Sequence, residues 1–143
     1  MRKAILITIL AATMPFVAVA QGFKDLDTAV ASVSRGLERG EGDQILGGVE
    51  DQIMLQFPGL LEESGFFGRD QASYLLNDLF AKAKPSRFEV VSARKVSSQS
   101  QYHVTANWTI EPSGEPETRE ILVTLQNRSD LWYVASIRSG SNR

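Results

Sequence analysis

Pro85 divides this sequence into two kinds of pattern, and the half beyond it constrains the fold most. After Pro85 the chain is all strand signal. Residues 86–97 (SRFEVVSARKVS), 101–111 (QYHVTANWTIE), 118–127 (TREILVTLQN) and 131–138 (LWYVASIR) each read as a strand. In the second, Tyr102, Val104, Ala106, Trp108 and Ile110 share one face, and His103, Thr105, Asn107 and Thr109 share the other. The connections are short: a polar turn at 98–100, the PSGEPE turn at 112–117 and Arg128-Ser129-Asp130. Successive strands joined by such short loops run antiparallel, so this half forms a meander. A meander with one apolar face must be covered by something else in the chain.

The cover lies before Pro85. Phe23, Leu26, Val30, Val33 and Leu37 recur at helical spacing, which predicts a helix over 23–39 stopped by Gly40. Asp43 suits the N-cap of a short turn through Leu46, and Gly47-Gly48 ends it. From Val49 the period changes: Ile53, Leu55 and Phe57 alternate with Gln52, Met54 and Gln56 in a strand closed by Pro58-Gly59. Residues 58–69 (PGLLEESGFFGR) read as a connection. Asp70 opens a helix whose buried face is Ala72, Leu75, Leu76, Leu79, Phe80 and Ala83, with Lys82 and Lys84 at its negative end and Pro85 as the stop. The expected fold is α+β, in the order helix, short helix, strand, helix, four strands. N-terminal helices pack on one face of a curved antiparallel sheet.

Ahead of this sits a leader, MRKAILITILAATMPFVAVA. Arg2 and Lys3 form a positive start, Ala4 to Ala12 an apolar core, and Ala18-Val19-Ala20 a small-x-small cleavage site. Residues 1–20 therefore read as a signal peptide and 21–143 as one exported domain, periplasmic or secreted, beginning at Gln21. An uncleaved anchor is the alternative, but the stretch from Ala4 to Ala20 is at the lower edge for a membrane span. With no cysteine in the chain, disulfides, thiol catalysis and a lipid-modified N-terminal cysteine are all excluded. Removing Arg2 and Lys3 leaves 13 basic against 17 acidic residues, net −4, so no overall attraction draws the domain to nucleic acid.

The order of elements resembles the nuclear transport factor two-like superfamily, whose cone-shaped fold includes the ketosteroid isomerases. Four pieces are similar, more narrowly, to a family of small secreted bacterial proteins of unknown function with that fold. They are the leader running directly into the first helix, Gly-Phe-Phe-Gly ahead of DQASYLLNDLFAKAKPSRFEVV (70–91), SQYHVTANWTI (100–110) and LWYVASIR (131–138). The resemblance implies the cone fold. It does not carry an activity, because the superfamily holds both enzymes and binding modules.

Candidate chemistry is sparse. His103, the only histidine, lies on the polar strand face beside Thr105 and Asn107, and one histidine without cysteine cannot build a histidine-rich metal site. Asp51 opens the first strand, in the region where the ketosteroid isomerases carry an aspartate general base. Their tyrosine partner is missing here, since the first helix contains no tyrosine. Glu62-Glu63 and Glu115/Glu117 lack the regular acidic spacing of a calcium loop. No Gly-x-Ser-x-Gly, Ser-x-x-Lys or phosphate-binding glycine loop occurs. The expectation is an exported, non-enzymatic module without cofactor or metal that binds a small apolar ligand or a protein partner, with Phe66, Phe67, Tyr74 and Trp108 as pocket candidates. Phe66 and Phe67 are adjacent in a glycine-flanked loop suited to a lid or a partner contact. Two other roles remain open: an isomerase- or lyase-like enzyme with Asp51 as base in an apolar pocket, and a homodimer through the outer sheet face.

Overall fold

The computed structural model describes residues 22–96 and 100–140. The leader, Gln21 and most of the 98–100 turn lie outside the described residues. The elements run α1 (Leu26–Arg39), α2 (Gly42–Leu46), β1 (Gln52–Gln56), β2 (Gly65–Gly68), α3 (Arg69–Ala83), β3 (Arg87–Lys95), β4 (Gln101–Ile110), β5 (Glu117–Arg128) and β6 (Leu131–Ser139). The helices cover one face of a six-stranded sheet of order β2-β1-β6-β5-β4-β3. This is the α+β plan the sequence implies, with two differences in the sheet; in the helices, Asp43 lies in the first turn of α2 rather than at its N-cap, which is Glu41.

The first is β2. The Gly-Phe-Phe-Gly segment is a short edge strand paired antiparallel with β1, Phe66 opposite Met54 and Phe67 opposite Ile53, rather than part of a loop. Four residues with only two side chains of any size leave no period to detect. The second is that β1 pairs with β6, and does so in parallel over three positions, from Met54↔Ser136 to Gln56↔Arg138. Strands so far apart in the chain need no turn to join them, so no turn marks the pairing.

Local chemistry sets the ends of α1. Asp25 caps it, its carboxylate accepting the Thr28 N–H at 2.8 Å. Gly40 ends it in the left-handed conformation (φ 71°), its N–H returning to the Gly36 carbonyl. The inward stripe of Ala29, Val33 and Leu37 is buried. Phe23 does not continue the helix. It forms a bridge with Trp132, the two backbones exchanging hydrogen bonds of 2.8 Å, and its ring lies on Gly48, where a Cβ would overlap it.

The core between the layers joins those helical side chains to Ile53, Leu55 and Phe57 of the β1 region and to Val104, Trp108, Ile110, Ile121, Val123, Leu125, Val134 and Ile137. Trp108 is its largest fully buried side chain. The indole N–H donates to the Leu37 carbonyl at 2.7 Å, and the ring meets Phe57 edge to face at 5.7 Å. Leu37 belongs to the last turn of α1, whose carbonyls have no partner within the helix. One side chain of β4 therefore satisfies a buried helix end and packs on the β1 region. A second tie is Arg119, buried on the same face, which donates to Pro58 O at 2.7 Å and to Glu117 at 2.9 Å. It clamps the exit of β1 to β5.

At the far edge, β3 is exposed along nearly its whole length. An extra residue, Val91, bulges between the Val90↔Ala106 and Ser92↔Thr105 pairs, and Arg87, Glu89, Arg94 and Lys95 stud the strand. A bulge and alternating charge are the usual protection of a free edge.

Two outcomes follow. Trp108→Phe, which keeps a ring but leaves the Leu37 carbonyl buried without a donor, is expected to lower stability by about 1–3 kcal/mol in urea unfolding; a change below about 0.5 kcal/mol contradicts the role given to the indole N–H. The Thr28 N–H and hydroxyl hold the Asp25 carboxyl below the usual aspartate value. With a depressed folded-state pKa, its contribution is complete above the unfolded value and is lost as pH falls through the folded one. Asp25→Asn, which still caps the helix, is expected to flatten the acid limb of stability against pH below the ordinary value of 3.8.

Candidate functional site

The structure scatters the four aromatic candidates. Trp108 is in the centre of the core, and Phe67 faces inward from β2 and is buried. Tyr74 stands 73% exposed on the outer side of α3. Phe66, alternating with Phe67 along β2, points to the opposite side of the sheet and is 67% exposed. Adjacent aromatics that cannot both turn inward in a loop are accommodated by a strand, which sends successive side chains to opposite faces. The four therefore do not line a common pocket.

On the helix-facing side of the sheet, α1 leaves little room. The hollow between α1 and the sheet, lined by Val30, Val33, Ser34, Phe88, Val104, Val123 and Leu125, has a volume of about 10 Å³. That is room for about one water.

Two larger spaces are on the outer face, away from the helices. One, of about 380 Å³, lies over the ends of β1, β5 and β6 between Gln56, Thr105, Leu122 and Arg138. The other, about 230 Å³, gathers Glu50, Asp51, Gln52, Phe66, Gln126, Arg128 and Tyr133 around the backbone of Val134 and Ala135. Its origin is in the strand pairing. β1 and β6 pair only from Met54 onward, so the two chains diverge before that point. Ala135 is an extra residue in β6 between the Thr124↔Ser136 and Leu125↔Val134 pairs. Beyond this bulge the edge of β6 bonds instead to Gly48, whose carbonyl accepts the Val134 N–H at 2.7 Å, and to Phe23. The gap left between β1 and β6 is the cleft.

This smaller cleft brings together Phe66 and Asp51, which belong to separate hypotheses in the sequence. An ion pair between Arg128 and Glu50 at 2.8 Å closes one side. Asp51 is exposed and forms no ion pair among the described residues. An aspartate so placed is solvated, not held in the apolar pocket that the isomerase hypothesis needs. His103 pairs with Arg94 and Thr124 across the outer face and does not line the cleft, although Gln126, two residues from Thr124, does. Among the described residues no cluster of three or more histidine, aspartate or glutamate side chains could hold a metal ion. Sequence reasoning missed Arg128, Tyr133 and Gln126. They come from a turn and two strands that read only as structure, and the pairing that brings them to β1 has no local signature.

Among curated proteins none matches this sequence. Solved structures do match. One is a DUF4783 family protein from Bacteroides ovatus, 18% identical, covering 79% of this chain and 94% of its own with a TM-score of 0.66. Another is an NTF2-like protein from Anabaena variabilis, 19% identical, covering 81% of this chain and 87% of its own with a TM-score of 0.60. A third is a hypothetical protein from Catenulispora acidiphila with a ketosteroid isomerase-like fold, solved in complex with trimethylamine; it is 11% identical, covering 80% of this chain and 85% of its own with a TM-score of 0.61. These likenesses establish the NTF2-like fold. The family model for the domain of unknown function DUF4783 matches residues 30–139, well over half of the sequence, and the chain belongs to that family.

Proposed function

We propose that this protein is an exported, non-enzymatic binding module that takes a protein partner on the outer face of its sheet, at the cleft beside Phe66. Export rests on the leader, with Arg2 and Lys3, the apolar run and Ala18-Val19-Ala20 in the order a signal peptidase recognises.

The choice of a protein partner over a small apolar ligand rests on where space and apolar surface lie. An interior hollow of about 10 Å³ offers an apolar molecule no burial. Phe66 carries the argument for the outer face. It is a whole aromatic ring, 67% exposed, at the mouth of a concave surface and next to an arginine ion pair. Aromatic and arginine side chains in such settings dominate protein–protein binding energy. The non-enzymatic part rests on Asp51, an exposed carboxylate without an arranged acid or oxyanion donor.

A second use of the same face is self-association. Thr105, Leu122, Thr124, Ser136 and Met54 give its middle an uncharged surface, with Glu120 and Arg138 at one margin. Sedimentation at micromolar concentration separates the two: a monomer leaves the face free for a different protein.

For the main reading, Phe66→Ala is expected to abolish co-purification of the partner from the exported fraction of the native cell while leaving the melting temperature unchanged within a degree or two, as befits an exposed side chain. Retained co-purification rejects the cleft as the contact. Mass spectrometry of the exported protein is expected to find a chain beginning at Gln21; an intact leader rejects export by cleavage.

A further inference from the structure

The charges round the Phe66 cleft do not balance, and the imbalance specifies what a partner must bring. Glu50 is neutralised by Arg128 at 2.8 Å. Asp51, in the same cleft, forms no ion pair among the described residues. The cleft therefore holds two carboxylates and one guanidinium, which is already engaged. The aromatic residues Phe66 and Tyr133 and the amide-bearing Gln52 and Gln126 line the same cleft as Asp51.

Each component favours the same occupant. An aromatic face is electronegative and attracts a cation. A free carboxylate does so more strongly, and covering it with uncharged apolar material would strip its water without replacement. Amide oxygens accept hydrogen bonds and suit a group that is only a donor. An anion would meet Asp51 and an occupied Arg128. A volume of about 230 Å³ is also below the range typical of small-molecule pockets and suits a single long side chain.

We infer that the cleft is a receptor for one arginine side chain of the partner protein, its guanidinium on the Asp51 carboxylate and its methylene stem along the Phe66 ring. Arginine suits it better than lysine. A planar fork of five donors can engage a carboxylate and neighbouring amide oxygens together and can stack on an aromatic face, whereas an ammonium is a compact, strongly hydrated point charge. The stem covers apolar surface while the charged end keeps its partners. This inference rests on the proposed partner-binding role and adds the chemistry of the contact.

The test uses the peptides acetyl-Gly-Arg-Gly-amide and its citrulline counterpart, which has the same shape without the charge. They are titrated separately into the purified ¹⁵N-labelled protein. The arginine peptide is expected to bind in the millimolar range, as fits one anchor residue, and to move the amide signals of Asp51, Gln52 and Phe66. The citrulline peptide and the Asp51→Asn variant should each weaken that binding roughly tenfold or more. Glu50→Gln serves as a control, since it breaks the existing pair and leaves Asp51. Equal binding of the two peptides, undiminished binding to Asp51→Asn, or no movement of these signals overturns the inference. Signals that move on dilution of the protein alone point to a second copy as the occupant, and that outcome overturns it too. Failure here is distinct from failure of the underlying role: if Phe66→Ala loses the native partner but Asp51→Asn keeps it, the cleft binds a protein and only the arginine assignment falls.

Discussion

A hydrogen bond in the buried centre of the molecule, from the Trp108 indole to the Leu37 carbonyl, ties the end of α1 to the sheet across the apolar core that joins the two layers. Helix ends are the weak points of any layered α+β packing, because their last carbonyls must find donors or stay wet. Here α1 buries its last turn against the sheet, and β4 supplies the donor from the middle of its apolar face. The same ring packs on Phe57, so the tie reaches the exit of β1, which Arg119 fastens to β5. With these contacts formed, the hollow that remains between α1 and the sheet is only about 10 Å³. The two larger spaces lie on the other side of the sheet.

That other side would be an uninterrupted sheet surface were it not for the way β1 joins β6. The pairing is parallel, three residues long, and replaced beyond the Ala135 bulge by contacts to Gly48 and Phe23. A short pairing and a bulge suffice to open a cleft at this seam, and the residues ringing it come from four separate stretches of chain. A concave site can thus arise in a sheet without a long loop or a domain boundary.

The periodic parts of this fold were legible in the sequence. The alternation of Tyr102 to Ile110, the stripe Ala72 to Ala83 and the stop at Gly40 each depend on local spacing, and each element lies where that spacing puts it. What escaped was non-local. Gly65–Gly68 is a strand because β1 lies beside it, not because its own four residues insist. Phe23 fits the helical stripe by spacing, yet it is drawn out of the helix by Trp132 and the bare backbone of Gly48. At the cleft, Phe66 and Asp51 drew notice for their chemistry, but their meeting depends on strand pairing, and Arg128, Tyr133 and Gln126 had only a structural signature before that pairing was known.

The seam between β1 and β6 also sets an order of events for the chain. Residues 54–56 find their neighbours in β6 at 136–138, so the β1–β2 hairpin joins the rest of the sheet through a pairing distant in the chain. A two-stranded hairpin by itself is marginal in water. Closing so long a loop is slow relative to forming the local meander. Strand β6 therefore acts as the latch of the assembly: β3 to β6, joined by short turns, can collect as a local unit, whereas the half of the sheet that bears the cleft is completed in the step that docks the β1–β2 hairpin on β6.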